Sequence, residues 1–318
     1  MILVTGSRGL IGSAIVSRLR DHGQEVRTFD VRDDVRQDIC DPAALAAALD
    51  GIDGVIHLAA ISRVVWAEGD PALAWSTNVD AFANLVDLAL AAPRRPWIVF
   101  ASSREVYGEQ ATLPVDEAAV LAPMNVYARS KVAGEALVAR AVAEGLAANA
   151  VRFSSVYGSI CDHEDRVVPA FARAAVSNGV VRVEGADNLF DFTHIDDVAR
   201  GLHLLVDATI AGRRLDPVHF VTGRGTTLGD LAGIAMRMSG GGVRREERAP
   251  RSYDVTRFVG NPDRAKRELG WAATIGIAKG FAQLADAFRS AQVLDEPPFA
   301  SAASPRADRL ALVSASNR

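Results

Sequence analysis

Three glycines in the short segment Gly6-Ser7-Arg8-Gly9-Leu10-Ile11-Gly12 constrain this chain more than any other feature. The apolar run 2–5 precedes them, and Leu10, Ile11, Ala14, Ile15 and Leu19 follow at helical spacing. A strand, a glycine turn and a helix in that order form the phosphate cradle of a parallel α/β sheet. Gly6 permits the tight turn. A side chain at Gly9 would keep a pyrophosphate from the backbone N–H groups of the loop, which places Arg8, Leu10 and Ile11 against such a ligand. Gly12 lets the helix lie close to the sheet, and the helix N-terminus favours the negative phosphates.

The next 140 or so residues repeat the same alternation of short apolar runs and helical patterns. Strands are expected at 26–30, 55–58, 97–101 and 149–153. Asp41-Pro42 and Asp70-Pro71 each place a capping carboxylate before a proline at the first helical position. The second pair opens a long Ala/Leu helix to about residue 91, and a further helix spans 127–144. Beyond residue 154 the alternation becomes irregular. Helices are expected at 168–177, 196–206 and 228–238, the last opened by a Thr227/Asp230 capping box and ended by Gly240-Gly241-Gly242. A strand is expected at 218–221, and Asn261-Pro262 starts a short helix that Gly270 stops. The expected fold is α/β: a doubly wound, Rossmann-type parallel sheet with a smaller C-terminal substrate-binding lobe. The nucleotide domain spans 1–154, with returning segments near 191–222. The lobe spans 155–290, and 291–318, rich in Ala, Ser and Pro, is a poorly ordered tail.

With 318 residues the chain exceeds what one hydrophobic core usually supports, in keeping with two lobes. A net charge of -4 with interspersed signs gives no support for nucleic acid as partner. No apolar run is long enough to span a bilayer, and no basic leader precedes the first strand. Cys40 and Cys161 have no metal or redox spacing, and the six histidines show no ligand spacing, so a reduced cytoplasmic setting without a metal is expected.

Asp30 ends the second expected strand, placed to accept hydrogen bonds from the adenine ribose of a dinucleotide. Its charge would repel a 2′-phosphate, which favours NAD over NADP, although Arg27 and Arg32 lie nearby. Asp38, before Ile39, is placed to reach the adenine. Tyr127 and Lys131 stand four residues apart and share a helix face. A free phenol, with a pKa of ~10, is a poor base at neutral pH, and a neighbouring ammonium favours its phenolate.

The ordered set of motifs over about residues 1–285 resembles the extended short-chain dehydrogenase/reductase family, specifically its NAD-dependent sugar-nucleotide epimerases and dehydratases. After the glycine loop come His57-Leu58-Ala59-Ala60, Asn78-Val79, Ala101-Ser102-Ser103, Val106-Tyr107-Gly108, and Tyr127 with Lys131. Then follow Val151-Arg152-Phe153, Val156-Tyr157-Gly158, Asp191-Phe192-Thr193-His194-Ile195-Asp196-Asp197 and Leu269-Gly270-Trp271. The resemblance implies that Tyr127 moves the proton of the sugar C4 hydroxyl while hydride passes to and from NAD. Ser103 would bond the same oxygen, Lys131 would hold the nicotinamide ribose, and Leu58, Ala59 and Ala60 would let backbone approach the cofactor. Ser155, Val168 and Arg104 would face the sugar nucleotide. Arg251 and Asp254 would contact its diphosphate and ribose.

The chain departs from the family pattern at three places. Ser155 stands where Asn is frequent, and Phe190 where a phosphate-binding Arg often precedes Asp-Phe. Arg104-Glu105 replaces the Asp-Glu pair of the dehydratases. The expected reaction is therefore 4-epimerisation of a nucleotide-diphosphate sugar through a 4-keto intermediate. The alternative is dehydration with Glu105 as base. The acidic cluster 162–166 reads as a loop at the substrate mouth. The resemblance also implies a homodimer formed through the helices 71–91 and 127–144.

Overall fold

The computed structural model describes residues 1–248 and 255–293. In chain order they form β1 (Ile2–Thr5), α1 (Leu10–Asp21), β2 (Val26–Phe29), α2 (Pro42–Leu49), β3 (Gly54–His57), α3 (Val64–Gly69), α4 (Pro71–Trp75), a π turn (Ser76–Asp80) and α5 (Ala81–Ala91). Next come β4 (Trp97–Ser103), a 3₁₀ turn (Arg104–Tyr107), α6 (Val126–Ala143), β5 (Ala148–Phe153), β6 (Ser155–Tyr157), α7 (Val167–Ser177), β7 (Val180–Glu184), β8 (Leu189–His194) and α8 (Ile195–Ile210). The chain continues through β9 (Val218–Phe220), β10 (Gly225–Thr227), α9 (Leu228–Met238), β11 (Arg244–Arg248), β12 (Arg257–Phe258), α10 (Asp263–Leu269) and α11 (Ile277–Val293).

Six parallel strands build the main sheet in the order β2-β1-β3-β4-β5-β9. Successive side chains of a strand point to opposite faces, so each strand feeds two cores. Ile2, Val4, Ile56 and Val99 pack with α1, α8 and the fully buried Trp271 on one face. Leu3, Val55, Ile98 and Phe100 pack with α2, α5 and α6 on the other. This is the doubly wound sheet that the alternation predicts. Its strand order reverses between β1 and β3, and the glycine loop leaves β1 at that switch point.

The capping signals act locally as their chemistry requires. Asp41 accepts from the N–H groups of Ala43 and Ala44, and Asp70 from that of Leu73. Thr227 and Asp230 form a reciprocal capping box. The long helix expected from Asp70 to residue 91 departs from regularity at the π turn. There Asn78 turns into the core, accepting from the Ile61 N–H at 2.8 Å and donating to the Ile61 carbonyl at 3.1 Å and to Ser130 Oγ at 3.0 Å. Those three bonds hold one extra residue in the turn, a device frequent near functional sites.

The remaining elements form a second layer. β8 pairs with β10 antiparallel and with β12 and β6 in parallel, while β7 pairs with β11. Helices α7, α9 and α11 cover them with a core that includes Phe171, Val181, Leu231, Phe281 and Leu284. Two buried carboxylates tie the layer to the main sheet. Asp191 accepts from Thr222 N–H, Thr222 Oγ1 and Gly223 N–H at 2.7–2.9 Å. Asp197 accepts from Arg200, from the Thr274 N–H and hydroxyl, and from the Ile275 N–H. Residues 294–318, most of the expected tail, lie outside the described residues, as do Arg251 and Asp254. Among the described residues no helix is long and apolar enough to cross a membrane.

Candidate active site

The glycine loop is shaped by what its glycines avoid. Gly6 has φ +67°, and a Cβ there would lie 2.7 Å from the Ala59 nitrogen. A Cβ on Gly12 would sit 2.1 Å from the Gly6 carbonyl oxygen, so α1 reaches the loop only without a side chain at that position. Gly9 differs: its nearest neighbours would be the Gly6 oxygen at 3.2 Å and the Arg32 guanidinium at 3.9 Å. Its missing side chain chiefly keeps the approach to the loop clear. Gly9 is also the N-cap of α1 and offers no side-chain hydrogen bond. The first N–H groups of that helix, around Leu10 and Ile11, thus await an external acceptor, which suits a pyrophosphate.

At the end of β2, Asp30 is 7% exposed. Its carboxylate accepts from the backbone N–H of Arg8 at 2.9 Å and of Arg32 at 3.0 Å, and the Arg32 side chain closes on it at 3.3 Å. The anion is fixed beside the loop by two backbone donors, while Arg32 lies where a ribose partner could displace it. Asp38 accepts from the Cys40 N–H at 2.9 Å, and Ile39 is buried beside Phe29 and Leu45. At the end of β3, the N–H groups of Leu58 and Ala59 donate to Thr5 Oγ1, which also meets His57 Nδ1 at 2.9 Å. His57 stacks on Phe82, and burial, helped by the Lys131 charge, pulls its pKa down to about 3. It is a neutral packing and orienting group. Ala60, next in the chain, is half-buried.

Tyr127 and Lys131 project from the first turns of α6 toward the C-terminal end of β4. Lys131 Nζ donates to the Ala101 carbonyl at 2.8 Å and lies 5.7 Å from the centre of the Tyr127 ring. Burial pulls the lysine pKa down to about 8, against the pull of Glu135. Burial also raises the Tyr127 phenol, as does the Glu105 charge, while a hydrogen bond with Ser103 and the charges of Arg166 and Arg104 lower it. The expectation that the ammonium leaves a lowered phenol pKa is not met. Burial outweighs the cations, and the phenol pKa lies above its ordinary value.

The 3₁₀ turn after β4 carries Arg104 and Glu105. Ser103 caps it by accepting from the Glu105 N–H at 3.2 Å. Glu105 is 8% exposed and engaged at both oxygens, by Arg104 Nη2 at 2.9 Å and by Asn125 Nδ2 at 3.2 Å. The Arg104 guanidinium stacks 4.8 Å over the Phe190 ring and 5.7 Å from that of Phe258.

Ser155 lies on β6, paired in register with Phe192, and Val168 is buried in the first turn of α7. The acidic cluster is a loop that meets the opposite lobe. Arg63 donates to both oxygens of Asp165, His163 packs edge-on against Trp66 at 4.9 Å, and Arg166 lies 3.4 Å from the Asp162 carboxylate. No group of three or more His, Cys, Asp or Glu among the described residues is placed to hold a metal.

The geometry adds residues that sequence reasoning did not single out. Asn125 caps α6 through the Ala128 N–H and holds Glu105 with its other end. An Asn immediately before a helical run is a capping signal that could have found it. Thr5, Arg63 and Trp66 join the site through tertiary contacts that nothing local marks.

The chain matches the model of the NAD-dependent epimerase/dehydratase family over residues 2–218. It is 27% identical to a UDP-glucose 4-epimerase of Corynebacterium glutamicum, covering 91% of this chain and 96% of the relative. Its fold superposes with a TM-score of 0.84 on a UDP-glucose 4-epimerase of Thermotoga maritima solved with UDP-glucose, at 25% identity and over 92% of this chain and 99% of that one. A dTDP-glucose 4,6-dehydratase of Streptomyces venezuelae with NAD bound gives a TM-score of 0.81 at 27% identity, over 93% of this chain and 99% of that one. The chain belongs to the NAD-dependent epimerase/dehydratase family, on the extended short-chain dehydrogenase/reductase fold, and is an NAD-dependent enzyme.

Proposed function

We propose that this enzyme inverts C4 of a nucleotide-diphosphate sugar through a 4-keto intermediate. The loop Gly6–Gly12 and Asp30 would hold NAD, which when bound supplies the acceptor and donor of hydride. Tyr127 takes the proton of the C4 hydroxyl and later returns it. Its phenolate is disfavoured by burial, so Ser103, Arg104 and Arg166 matter as the groups that favour it. Ser103 also orients the reacting oxygen. Lys131, fixed on the Ala101 carbonyl, presents its charge beneath the phenol and holds a cofactor ribose. Ser155 and Val168 would line the sugar-nucleotide side. Arg251 and Asp254 are assigned the diphosphate and ribose from the sequence pattern.

The observation that carries epimerisation over dehydration is the engagement of Glu105 by Arg104 and Asn125. Dehydration needs a carboxylate to take a proton beside the keto group and an acid to protonate the departing hydroxyl. Here the carboxylate is paired, and the neighbouring position holds a guanidinium, whose pKa above ~12 excludes it as a working acid. Epimerisation needs neither group. Incubation with a panel of sugar nucleotides tests this: mass spectrometry shows an unchanged mass and NMR an inverted C4. A product lighter by one water transfers the assignment to dehydration by Glu105.

A further inference from the structure

Arg104 carries an unanswered donor. Its side chain is 13% exposed, and one terminal nitrogen is committed to Glu105. The flat face of the guanidinium is occupied by the Phe190 ring. The other terminal nitrogen, Nη1, is buried and has no hydrogen-bond partner. A buried, charged N–H without an acceptor is costly, and structures retain one mainly where something else supplies the acceptor.

The position of Arg104 says what that acceptor is. It follows Ser103, which bonds Tyr127, and precedes Glu105, and its charge is felt at the Tyr127 phenol. An atom that reaches Nη1 therefore belongs to the reacting end of the substrate. The Glu105 charge does not repel an anion there, because it is paired with Arg104 and accepts from Asn125. Lys131 and Arg166 add further positive charge around the phenol.

We infer that Arg104 binds a carboxylate carried on C5 of the sugar, one carbon beyond the C4 that Tyr127 works on, so that the substrate is a nucleotide-linked uronic acid rather than a neutral hexose. This rests on the C4 assignment above and narrows its substrate. Nη1 can give a carboxylate a charge-assisted N–H bond, stronger than the one a neutral hydroxymethyl oxygen would accept, and the Lys131 and Arg166 charges add to the pull on an anion. Phe190 serves this arrangement by stacking on the guanidinium and fixing its plane.

The test is calorimetric binding to the NAD-loaded enzyme of three probes: UDP, UDP-glucose and UDP-glucuronate. Wild type is expected to bind UDP-glucuronate at least tenfold more tightly than UDP-glucose. Arg104→Gln should abolish that ratio, and Arg104→Lys should restore part of it, with melting temperature and NAD content confirming intact folding in both. Equal loss of affinity for all three probes in Arg104→Gln would assign Arg104 to the diphosphate and overturn the inference. An unchanged ratio would overturn it too, leaving the arginine as a packing group. Preference for the carboxylate without C4 inversion would sink the proposed reaction while sparing the assignment of Arg104. Failure of wild type to bind any of the probes would remove both.

Discussion

The Lys131 ammonium lies 5.7 Å from the centre of the Tyr127 ring and is anchored on the Ala101 carbonyl at 2.8 Å, so helix α6 and strand β4 together fix the two side chains. If Tyr127 moves the C4 proton, Tyr127→Phe removes only that function. Turnover should fall by ~10²-fold or more while NAD stays bound, in line with the usual worth of a general acid–base group. Near-normal turnover would assign the proton transfer elsewhere.

The same pair predicts a pH dependence. Burial lowers Lys131 from its ordinary value to about 8, so the ammonium is present below that pH and is lost above it. Activity that needs the charge should decline as pH rises through about 8. Lys131→Arg carries a cation that does not titrate below ~12, so its residual activity should lack this decline. The stability term has the opposite sense. The unfolded chain keeps the lysine proton up to its ordinary pKa, so this group destabilises the fold below about 8, and the penalty fades as pH rises toward ~10.4. A pH–rate profile of both proteins decides the catalytic part.

If Asp30 accepts from the adenine ribose, it favours NAD over NADP. Its carboxylate is held by the Arg8 and Arg32 backbone, with the Arg32 side chain close by. Asp30→Ala should weaken NAD by about 1.5–3 kcal/mol, the range for hydrogen bonds to charged groups, and narrow the gap to NADP, whose extra phosphate the two arginines could then meet. Fluorescence titration with both cofactors reads this. Tighter NADP binding by wild type would contradict it.

Asn78 is 1% exposed and makes three bonds that hold the π turn against the Ile61 backbone and Ser130. Asn78→Ala leaves the Ile61 N–H and carbonyl without partners and should destabilise by about 2–3 kcal/mol. A shift in the urea midpoint of the size expected for a surface substitution would show that the turn finds other partners.

The sheet was legible because most of its strands are compact apolar runs, and because α2 and α4 are each announced by a capping aspartate and a proline. The glycine loop could be read to the individual residue, since backbone geometry and close approach leave no alternative at Gly6 and Gly12. The second layer was not legible. Its strands are short, and β11 is Arg244–Arg248, a run of charged residues with no alternation to read. The Asn78 turn was hidden because its cause is a partner 17 residues away, Ile61. The Tyr127–Lys131 spacing showed that the groups share a face. It could not show that burial would outweigh the cations and raise the phenol pKa. The pairing of Glu105 with Asn125 likewise joins two loops that only the tertiary fold brings together.

Epimerisation at C4 inverts one carbon and returns its own hydrogen to it. The most direct measurement follows a sugar nucleotide deuterated at C4 through the wild-type enzyme and through Glu105→Gln. Epimerisation gives a product of unchanged mass that keeps deuterium at an inverted C4, with only a modest rate loss in the variant. A product lighter by one water, with the label moved away from C4 and formation abolished by Glu105→Gln, would contradict it.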